Sequence, residues 1–293
     1  MHPIPLFDLR AAVGGIHLTD PTTGTLVDAP AVEAVCTDTR HMSPRSVFVA
    51  LRGERFDAHD HLAAARAGGA IAAVVERVPA GFVPPPPGFH LIRVANTYAA
   101  LGAAARFVRQ RLHGKVIAVA GSNGKTGTKL LVHAALGTRL RGTVSPKSYN
   151  NNVGVPLAIF PADPADDYLV LELGTNHPGE IAPLTEMARP DVAVITNAGA
   201  EHLEGLGDLA GVRRENAAVT GGLSAGGLLV VNGDDPDLVA ACAAAGWAGD
   251  RVTFGFGPHN DFFAADVAAG ADCVRFMVCD KATGGRTPAF VPL

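Results

Sequence analysis

The residues best suited to chemistry lie in one short segment, Gly121-Ser-Asn-Gly124-Lys125-Thr126. The segment follows an apolar run at 116–120 that predicts a buried strand, and it precedes a stretch with helical composition. A glycine-rich turn between a strand and a helix lets backbone N–H groups surround phosphate oxygens, and the helix N-terminus adds partial positive charge. There Lys125 would reach the outer phosphates and the Thr126 hydroxyl would ligate magnesium. The usual phosphate-loop pattern has a glycine where this chain has Val119, so we expect a shorter variant of that loop.

From residue 115 onward, five predicted strands are short and nearly continuous in apolar residues: 116–120, 168–173, 192–196, 228–232 and 252–255. Such strands are typical of a parallel sheet that helices cover on both faces. Ligands of these sheets bind beyond the carboxyl ends of the strands. Polar residues stand at those ends: Ser122, Asn123, Glu172, Asn197, Asn232 and Asp234. The alignment predicts one shared site.

The first part of the chain has a different pattern. Residues 46–51 and 70–75 read as buried strands around an alanine-rich helix at 61–68, and 90–94 reads as one more strand. Asn96 or Thr97 can then cap a helix whose apolar positions, at 98, 101, 105, 108 and 112, share one face. We therefore predict an α/β fold with a small N-terminal α/β domain at 1–97 and a parallel-sheet P-loop domain at 98–293.

The composition excludes several classes of protein. The 293 residues are 48% hydrophobic and 18% charged, which allows a sizeable core, and the formal charge of −4 argues against nucleic-acid binding through net charge. The four cysteines are too few and too scattered for a disulfide framework, and because they form no CxxC pair a zinc site is not expected. No leader and no apolar run of membrane-spanning length is recognised, so we expect a cytoplasmic protein without membrane insertion.

The segment VIAVAGSNGKTGTK resembles the ATP loop of the Mur ligases, the ATP-dependent amide-bond formers of peptidoglycan synthesis. Further segments resemble family motifs in the family's order. They are Thr37-Asp-Thr-Arg40, Ser46–Gly53, Arg55–Asp60, Ser148–Pro156, Leu171-Glu-Leu-Gly174, Ala200–Gly205 and Asn232–Pro236. The matches run from about residue 36 to 257, which is most of the chain.

The resemblance implies an activity, its substrates and its cofactors. Gly121-Ser-Asn and the trailing Thr128-Lys129 are most similar to the branch that adds D-alanyl-D-alanine to UDP-N-acetylmuramoyl-tripeptide, with ATP and magnesium. In the implied reaction the tripeptide carboxylate attacks the γ-phosphate of ATP, and the amine then displaces phosphate from the acyl phosphate. A monomer is expected.

The resemblance also implies roles for individual residues. Lys125, Glu172 and His202 would be catalytic, and magnesium would bind to Thr126, Glu172 and His202. The nucleotide would contact Gly121, Ser122, Asn123, Gly124, Lys125, Thr126, Gly127 and Asn232, and the UDP-substrate would contact Thr39, Arg40, Asn150 and Asn151. Without the resemblance, Arg40 reads equally as a solvated cation, and the two asparagines as turn residues. Glu172, at the end of a buried strand, needs a cation partner in any case, and magnesium is the natural one.

The chain departs from the family in two respects. The alignment puts Asn216 where the family has a lysine that CO2 converts to a carbamate, so the second magnesium site would lack that anion. The neighbouring Glu215 would point elsewhere, because one residue along a helix is a rotation of about 100°. The family's third domain has no counterpart in these residues, so we expect substrate binding with poor turnover or none.

Three alternatives remain open. A sister ligase that adds another amino acid shares the first domain's pattern. A noncatalytic protein that binds the UDP-substrate or a nucleotide is a second reading, and a P-loop kinase is a weaker third.

Overall fold

The computed structural model describes residues 1–18, 26, 28–82, 85–200 and 203–292. The helices are α1 (Leu6–Ala12), α2 (Leu62–Ala67), α3 (Thr97–Arg109), α4 (Lys125–Leu136), α5 (Gly154–Ile159), α6 (Ile181–Ala188), α7 (Leu203–Leu206), α8 (Leu209–Ala217) and α9 (Pro236–Ala244). The strands are β1 (Ile16–Leu18), β2 (Ala34–Cys36), β3 (Ser46–Val49), β4 (Ala70–Val75), β5 (His90–Arg93), β6 (Lys115–Ala120), β7 (Gly142–Val144), β8 (Tyr168–Glu172), β9 (Val192–Ile195), β10 (Leu228–Asn232), β11 (Asp250–Gly255), β12 (Phe262–Ala269), β13 (Cys273–Asp280) and β14 (Arg286–Pro292).

The chain divides into two compact units. The first comprises Met1–Gly114 and Leu140–Leu169, and the second comprises Lys115–Arg139 and Val170–Leu293. The boundary near residue 97, placed just before the helix predicted from the apolar pattern, stays a prediction. Within the described ranges no helix is long and apolar enough to cross a membrane.

The first unit is built on a five-stranded sheet with the order β1-β5-β4-β3-β2. The pairings of β5 with β4, β4 with β3 and β3 with β2 are parallel, and the edge strand β1 pairs antiparallel with β5. All four residues of β3 are buried, as expected for an inner strand covered on both faces. The predicted strands at 46–51, 70–75 and 90–94 and the helix at 61–68 are therefore confirmed, with ends shifted by one or two residues.

Helix α3 shows how a polar residue fixes an element boundary. The Asn96 side-chain oxygen accepts a hydrogen bond from the Ala99 N–H at 2.8 Å, so Asn96 is the cap. Thr97 has another partner, because its N–H and hydroxyl both donate to Glu76 at the end of β4, at 2.7 and 3.0 Å. The predicted apolar face is buried at Leu101, Ala105 and Val108.

The second unit is built on a larger sheet in which β14-β13-β12-β11-β10-β9-β6-β8 is the strand order. β6, β9, β10, β11 and the start of β12 are parallel neighbours, which confirms the predicted parallel sheet. The sequence did not predict β12, β13 and β14, an antiparallel set at one side of this sheet. These strands are mostly half-exposed or exposed and so lack the continuous apolar runs of the inner strands.

We expect Asn96→Ala to lower the free energy of unfolding by about 1 kcal/mol, because the first turn of α3 loses its cap. Asn96→Ser keeps a hydroxyl acceptor at the same position and is the matched control. Urea unfolding of both variants measures the difference, and equal stabilities would contradict the assignment of the cap.

Candidate functional site

The segment between β6 and α4 is a tight loop that depends on two glycines. Gly121 has a φ of +126° and Gly124 a φ of +80°, both in the region that favours glycine. A Cβ atom on Gly121 would lie 2.1 Å from the Thr196 hydroxyl oxygen, so the loop approaches the end of β9 too closely for any side chain. Helix α4 begins at Lys125 directly after Gly124, with its N-terminus at the loop. The strand–loop–helix order predicted from the sequence is confirmed.

Residues that follow β9 hold this loop in place. The Ser122 N–H donates to the Asn197 carbonyl at 3.0 Å, and the Asn123 N–H donates to the Asn197 side-chain oxygen at 2.9 Å. The Thr196 hydroxyl and the Asn197 amide both donate to the Asn123 carbonyl, at 2.7 and 3.0 Å. The Gly199 N–H donates to the Ser122 hydroxyl at 2.9 Å. The predicted convergence of strand-end residues is thus realised between the ends of β6 and β9, and Thr196 is a contributor that the sequence analysis missed.

Lys125 lies back against the loop. Its Nζ donates to the Gly121 and Ser122 carbonyl oxygens, each at 2.6 Å. These contacts place the ammonium at the glycine-rich loop. Its predicted contact with the outer phosphates stays a prediction.

Glu172, at the end of β8, is buried and paired. Its Oε2 accepts a hydrogen bond from the Thr126 hydroxyl at 2.8 Å, and the same oxygen lies 3.0 Å from the Lys129 Nζ. The Lys129 and Glu172 side chains are only 1% and 2% exposed. The cation that the sequence analysis required for Glu172 is therefore supplied by a lysine of the protein. The available signal was the spacing of Lys125 and Lys129, because residues four apart share one face of a helix.

Magnesium fits the donors present at this position. A carboxylate and a threonine hydroxyl are the oxygen ligands that this ion prefers, and Thr126 and Glu172 present them side by side. His202, the third predicted ligand, lies outside the described residues. In the part of the chain that the structure covers, no three His, Cys, Asp or Glu side chains come together as a metal site.

Helix α8 carries Asn216, which the sequence analysis aligned with the family's carbamylated lysine, and its neighbour Glu215. Asn216 is buried, and its amide donates to the Val212 carbonyl one turn back at 3.0 Å. The Glu215 carboxylate accepts hydrogen bonds from the Gly179 and Ile181 N–H groups at 2.7 and 2.8 Å, and so holds the start of α6. Glu215 thus points elsewhere than Asn216, as the spacing of the two residues predicted.

Asn232 and Asp234 extend the carboxyl edge of the sheet. The Asn232 amide donates to the Thr196 carbonyl at 3.2 Å, and the Asn232 side-chain oxygen accepts from the Asp234 N–H at 3.0 Å. Asp234 accepts hydrogen bonds from the Phe256 and Gly257 N–H groups at 2.6 and 3.0 Å. Although burial acts to raise the pKa of Asp234, these hydrogen bonds hold it below its ordinary value. A continuous set of contacts thus runs along the ends of β11, β10, β9 and β6.

The predicted substrate residues Thr39 and Arg40 belong to the first unit. They border a cavity of about 580 Å³ that is also lined by Asp38, Phe56 and His61. The Phe56 and His61 rings stack with their centroids 4.9 Å apart. The Arg40 guanidinium forms a two-pronged ion pair with Asp38, with a shortest distance of 2.6 Å, and this contact holds the pKa of the Asp38 carboxyl well below its usual range.

The asparagines at 150 and 151 lie elsewhere in the first unit, before α5. The Asn151 side-chain oxygen accepts hydrogen bonds from the Val153 and Gly154 N–H groups at 3.1 and 2.8 Å, so it stabilises the start of that helix. This is the turn role that the residue types suggest by themselves. The substrate roles of Asn150 and Asn151 stay predictions.

A parallel sheet with a glycine-rich loop, a lysine and a threonine at the start of a helix defines the class of phosphate-loop nucleotide-binding proteins. Residues 119–293 match the family model of the Mur ligase middle domain. The chain belongs to the Mur ligase family.

Curated and solved relatives agree with this assignment. The chain is 38% identical to the UDP-N-acetylmuramoyl-tripeptide--D-alanyl-D-alanine ligase of Escherichia coli, over 94% of the chain and 60% of that protein. The crystal structure of MurF from Acinetobacter baumannii superposes with a TM-score of 0.86 and 30% identity, over all of this chain and 61% of the other. MurF from Thermotoga maritima in complex with ADP gives a TM-score of 0.76 and 27% identity, over 89% and 58% of the two chains. The chain thus spans about 60% of the length of these relatives.

We expect Gly121→Ala to weaken ATP binding at least 10-fold, because the added methyl group collides with Thr196 and forces the loop away from β9. Gly221→Ala is the matched control. It adds the same methyl group at an exposed position with nothing within 4 Å of the added atom, so it should leave both ATP affinity and thermal stability unchanged. Calorimetric titration with ATP and thermal unfolding measure both effects. Equal ATP affinities for the two variants would contradict the described loop geometry.

Proposed function

We propose that this chain is the UDP-substrate-binding and ATP-binding part of a ligase that adds D-alanyl-D-alanine to UDP-N-acetylmuramoyl-tripeptide. The observation that carries the proposal is the glycine-rich loop, which hydrogen bonds hold to the end of β9. Beside it the Thr126 hydroxyl donates a hydrogen bond to the buried Glu172. Its place at the carboxyl edge of a parallel sheet is where nucleotides bind in such folds. The Thermotoga maritima relative is solved in complex with ADP, which supports nucleotide binding by this chain.

The choice of UDP-substrate and amine rests on similarity. The Escherichia coli relative is named for this reaction and matches 94% of the chain, including the first unit. The cavity beside Thr39 and Arg40 offers chemistry that suits a nucleoside diphosphate. The Arg40 guanidinium suits phosphate oxygens, which would replace the Asp38 carboxylate as its partner, and the aromatic pair of Phe56 and His61 offers a flat surface for a base.

The residues of the loop divide the chemical work. Backbone N–H groups at the start of α4 and the Lys125 ammonium stabilise negative charge that moves between phosphates during transfer. Thr126 and Glu172 would hold magnesium, which neutralises phosphate charge when it is bound. No covalent protein intermediate is required, because the substrate carboxylate is itself the nucleophile of the implied reaction.

A second candidate is a noncatalytic protein that binds the same ligands. The specific observation in its favour is Asn216, a neutral side chain hydrogen-bonded to its own helix at the position of the family's carbamate. The loop contacts of Lys125, Thr126 and Glu172 favour the ligase.

Titration calorimetry with UDP-N-acetylmuramoyl-tripeptide, with and without Mg-ATP, tests the proposal, followed by an assay of phosphate release on addition of D-alanyl-D-alanine. Binding with amine-dependent release would establish the ligase. Binding without release would favour the noncatalytic candidate. Release with a single amino acid but not with the dipeptide would indicate the sister ligase, and no binding of the UDP-substrate would overturn the substrate assignment.

Variants separate the two ligand sites. We expect Lys125→Met to weaken Mg-ATP binding about 10-fold to 100-fold, as a hydrogen bond to a charged group is lost, and to leave UDP-substrate affinity unchanged. Arg40→Met should do the reverse. Arg66→Met, at an exposed position of α2, is the control and should change neither affinity. Loss of both affinities in either single variant would contradict the division of ligands between the units.

A further inference from the structure

Helix α4 buries a charged residue and exposes apolar ones. Lys129 is its buried residue at 1% exposure, whereas Leu130 and Leu131 are 50% and 53% exposed. Lysine is almost never fully buried unless it is paired, because loss of hydration disfavours its charge. The position of Lys129 is therefore a feature that apolar packing does not explain.

The partner of Lys129 is shared with the phosphate loop. Glu172 Oε2 lies 3.0 Å from the Lys129 Nζ and accepts the Thr126 hydroxyl bond at 2.8 Å, so one carboxylate oxygen joins the second turn of α4 to its first. Replacing a buried ion pair with apolar residues is often neutral or stabilising, whereas removing one partner leaves a costly unpaired charge. Stability alone thus gives little reason for a lysine at this position.

Lys125 is a second cation that could pair with Glu172 if Lys129 were absent. It precedes Lys129 by four residues and therefore projects from the same face of α4. It also directly precedes Thr126, the other partner of Glu172. Its Nζ nevertheless lies on the Gly121 and Ser122 carbonyl oxygens, at the mouth of the loop. A buried carboxylate without its own countercharge would attract this ammonium and would repel phosphate.

We propose that Lys129 is a positioning residue: it is the resident countercharge of Glu172, and it thereby keeps Lys125 and the Thr126 hydroxyl placed for phosphate. The inference rests on the proposed nucleotide site for its functional consequence. The countercharge itself is a property of the ligand-free protein. The protein's own cation makes the loop geometry independent of whether a metal ion has arrived.

A double-mutant cycle on the full chain tests this role, with ATP in the presence of EDTA as the probe, so that no metal contributes. We expect Lys129→Met to weaken metal-free ATP binding at least 10-fold, because Glu172 then carries an uncompensated charge beside the loop. Lys129→Met combined with Glu172→Gln should bind ATP within about threefold of the wild type, because both charges are gone. Lys115→Met, at a lysine whose side chain is 74% exposed, is the control and should not change the affinity.

Two results would overturn the proposal. Unchanged ATP affinity in Lys129→Met would show that Lys129 does not position the loop. Equally weak binding in the single and double variants would show that Lys129 acts through packing or through another group, since a merely structural lysine gains nothing from Glu172→Gln.

Thermal unfolding without ligand separates this proposal from the proposed function. Lys129→Met should melt roughly 6 °C or more below the wild type, and the double variant should recover most of the loss. If the wild type fails to bind ATP, both the nucleotide site and the positioning role of Lys129 are wrong. The melting temperatures still decide whether Lys129 is the countercharge of Glu172. A single variant that fails to fold beside a double variant that folds supports the countercharge, and failure of both refutes it.

Discussion

The buried carboxylate of Glu172 is the constraint on which the arrangement of the proposed nucleotide site depends. An ionised group at the end of a covered strand loses its water, and the cost is several kcal/mol unless a cation and hydrogen-bond donors replace that water. Lys129 supplies the cation and Thr126 supplies a donor, both to the same carboxylate oxygen. Because these residues lie in the first two turns of α4, satisfying one charge fixes the helix that follows the loop against the strand.

The loop itself is fixed from the other side by close approach. Gly121 brings the chain against the Thr196 hydroxyl, and the backbone of Ser122 and Asn123 then bonds to Asn197. These contacts are local to the ends of adjacent parallel strands, where backbone groups would otherwise lack partners. A loop held by its neighbours in this way fixes the start of α4, whose N-terminal N–H groups suit phosphate without reorganisation of the loop, which is the condition for electrostatic catalysis.

Helix α8 shows the contacts of the asparagine that the sequence analysis aligned with the family's carbamylated lysine. Asn216 donates to its own helix, while Glu215 takes up the N–H groups that open α6. A negative charge at position 216 would stand in a buried environment and would need a cation of its own. Neutral Asn216 avoids that requirement, whereas the buried Glu172 meets it with the ammonium of Lys129.

Much of this architecture could be read from the residues. The apolar runs at 116–120, 192–196 and 228–232 determined a covered parallel sheet, because only strands buried on both faces are so continuous. The glycine, lysine and threonine spacing determined a phosphate loop, and Asn96 determined a helix start, because each is a local backbone requirement. The half-exposed strands after residue 260 were not predicted from the sequence, since their apolar and polar residues show no clear strand periodicity.

The tertiary structure alone decided which side chains meet. The sequence required a cation for Glu172 but could not choose between magnesium and a lysine 43 positions away, because the choice depends on how α4 packs against β8. Thr196 was counted as the last residue of the predicted strand at 192–196 and not as a site residue, yet its hydroxyl sets the space beside Gly121. Local backbone chemistry is encoded in short spacings, whereas the pairing of distant charges follows from the sheet that brings them together.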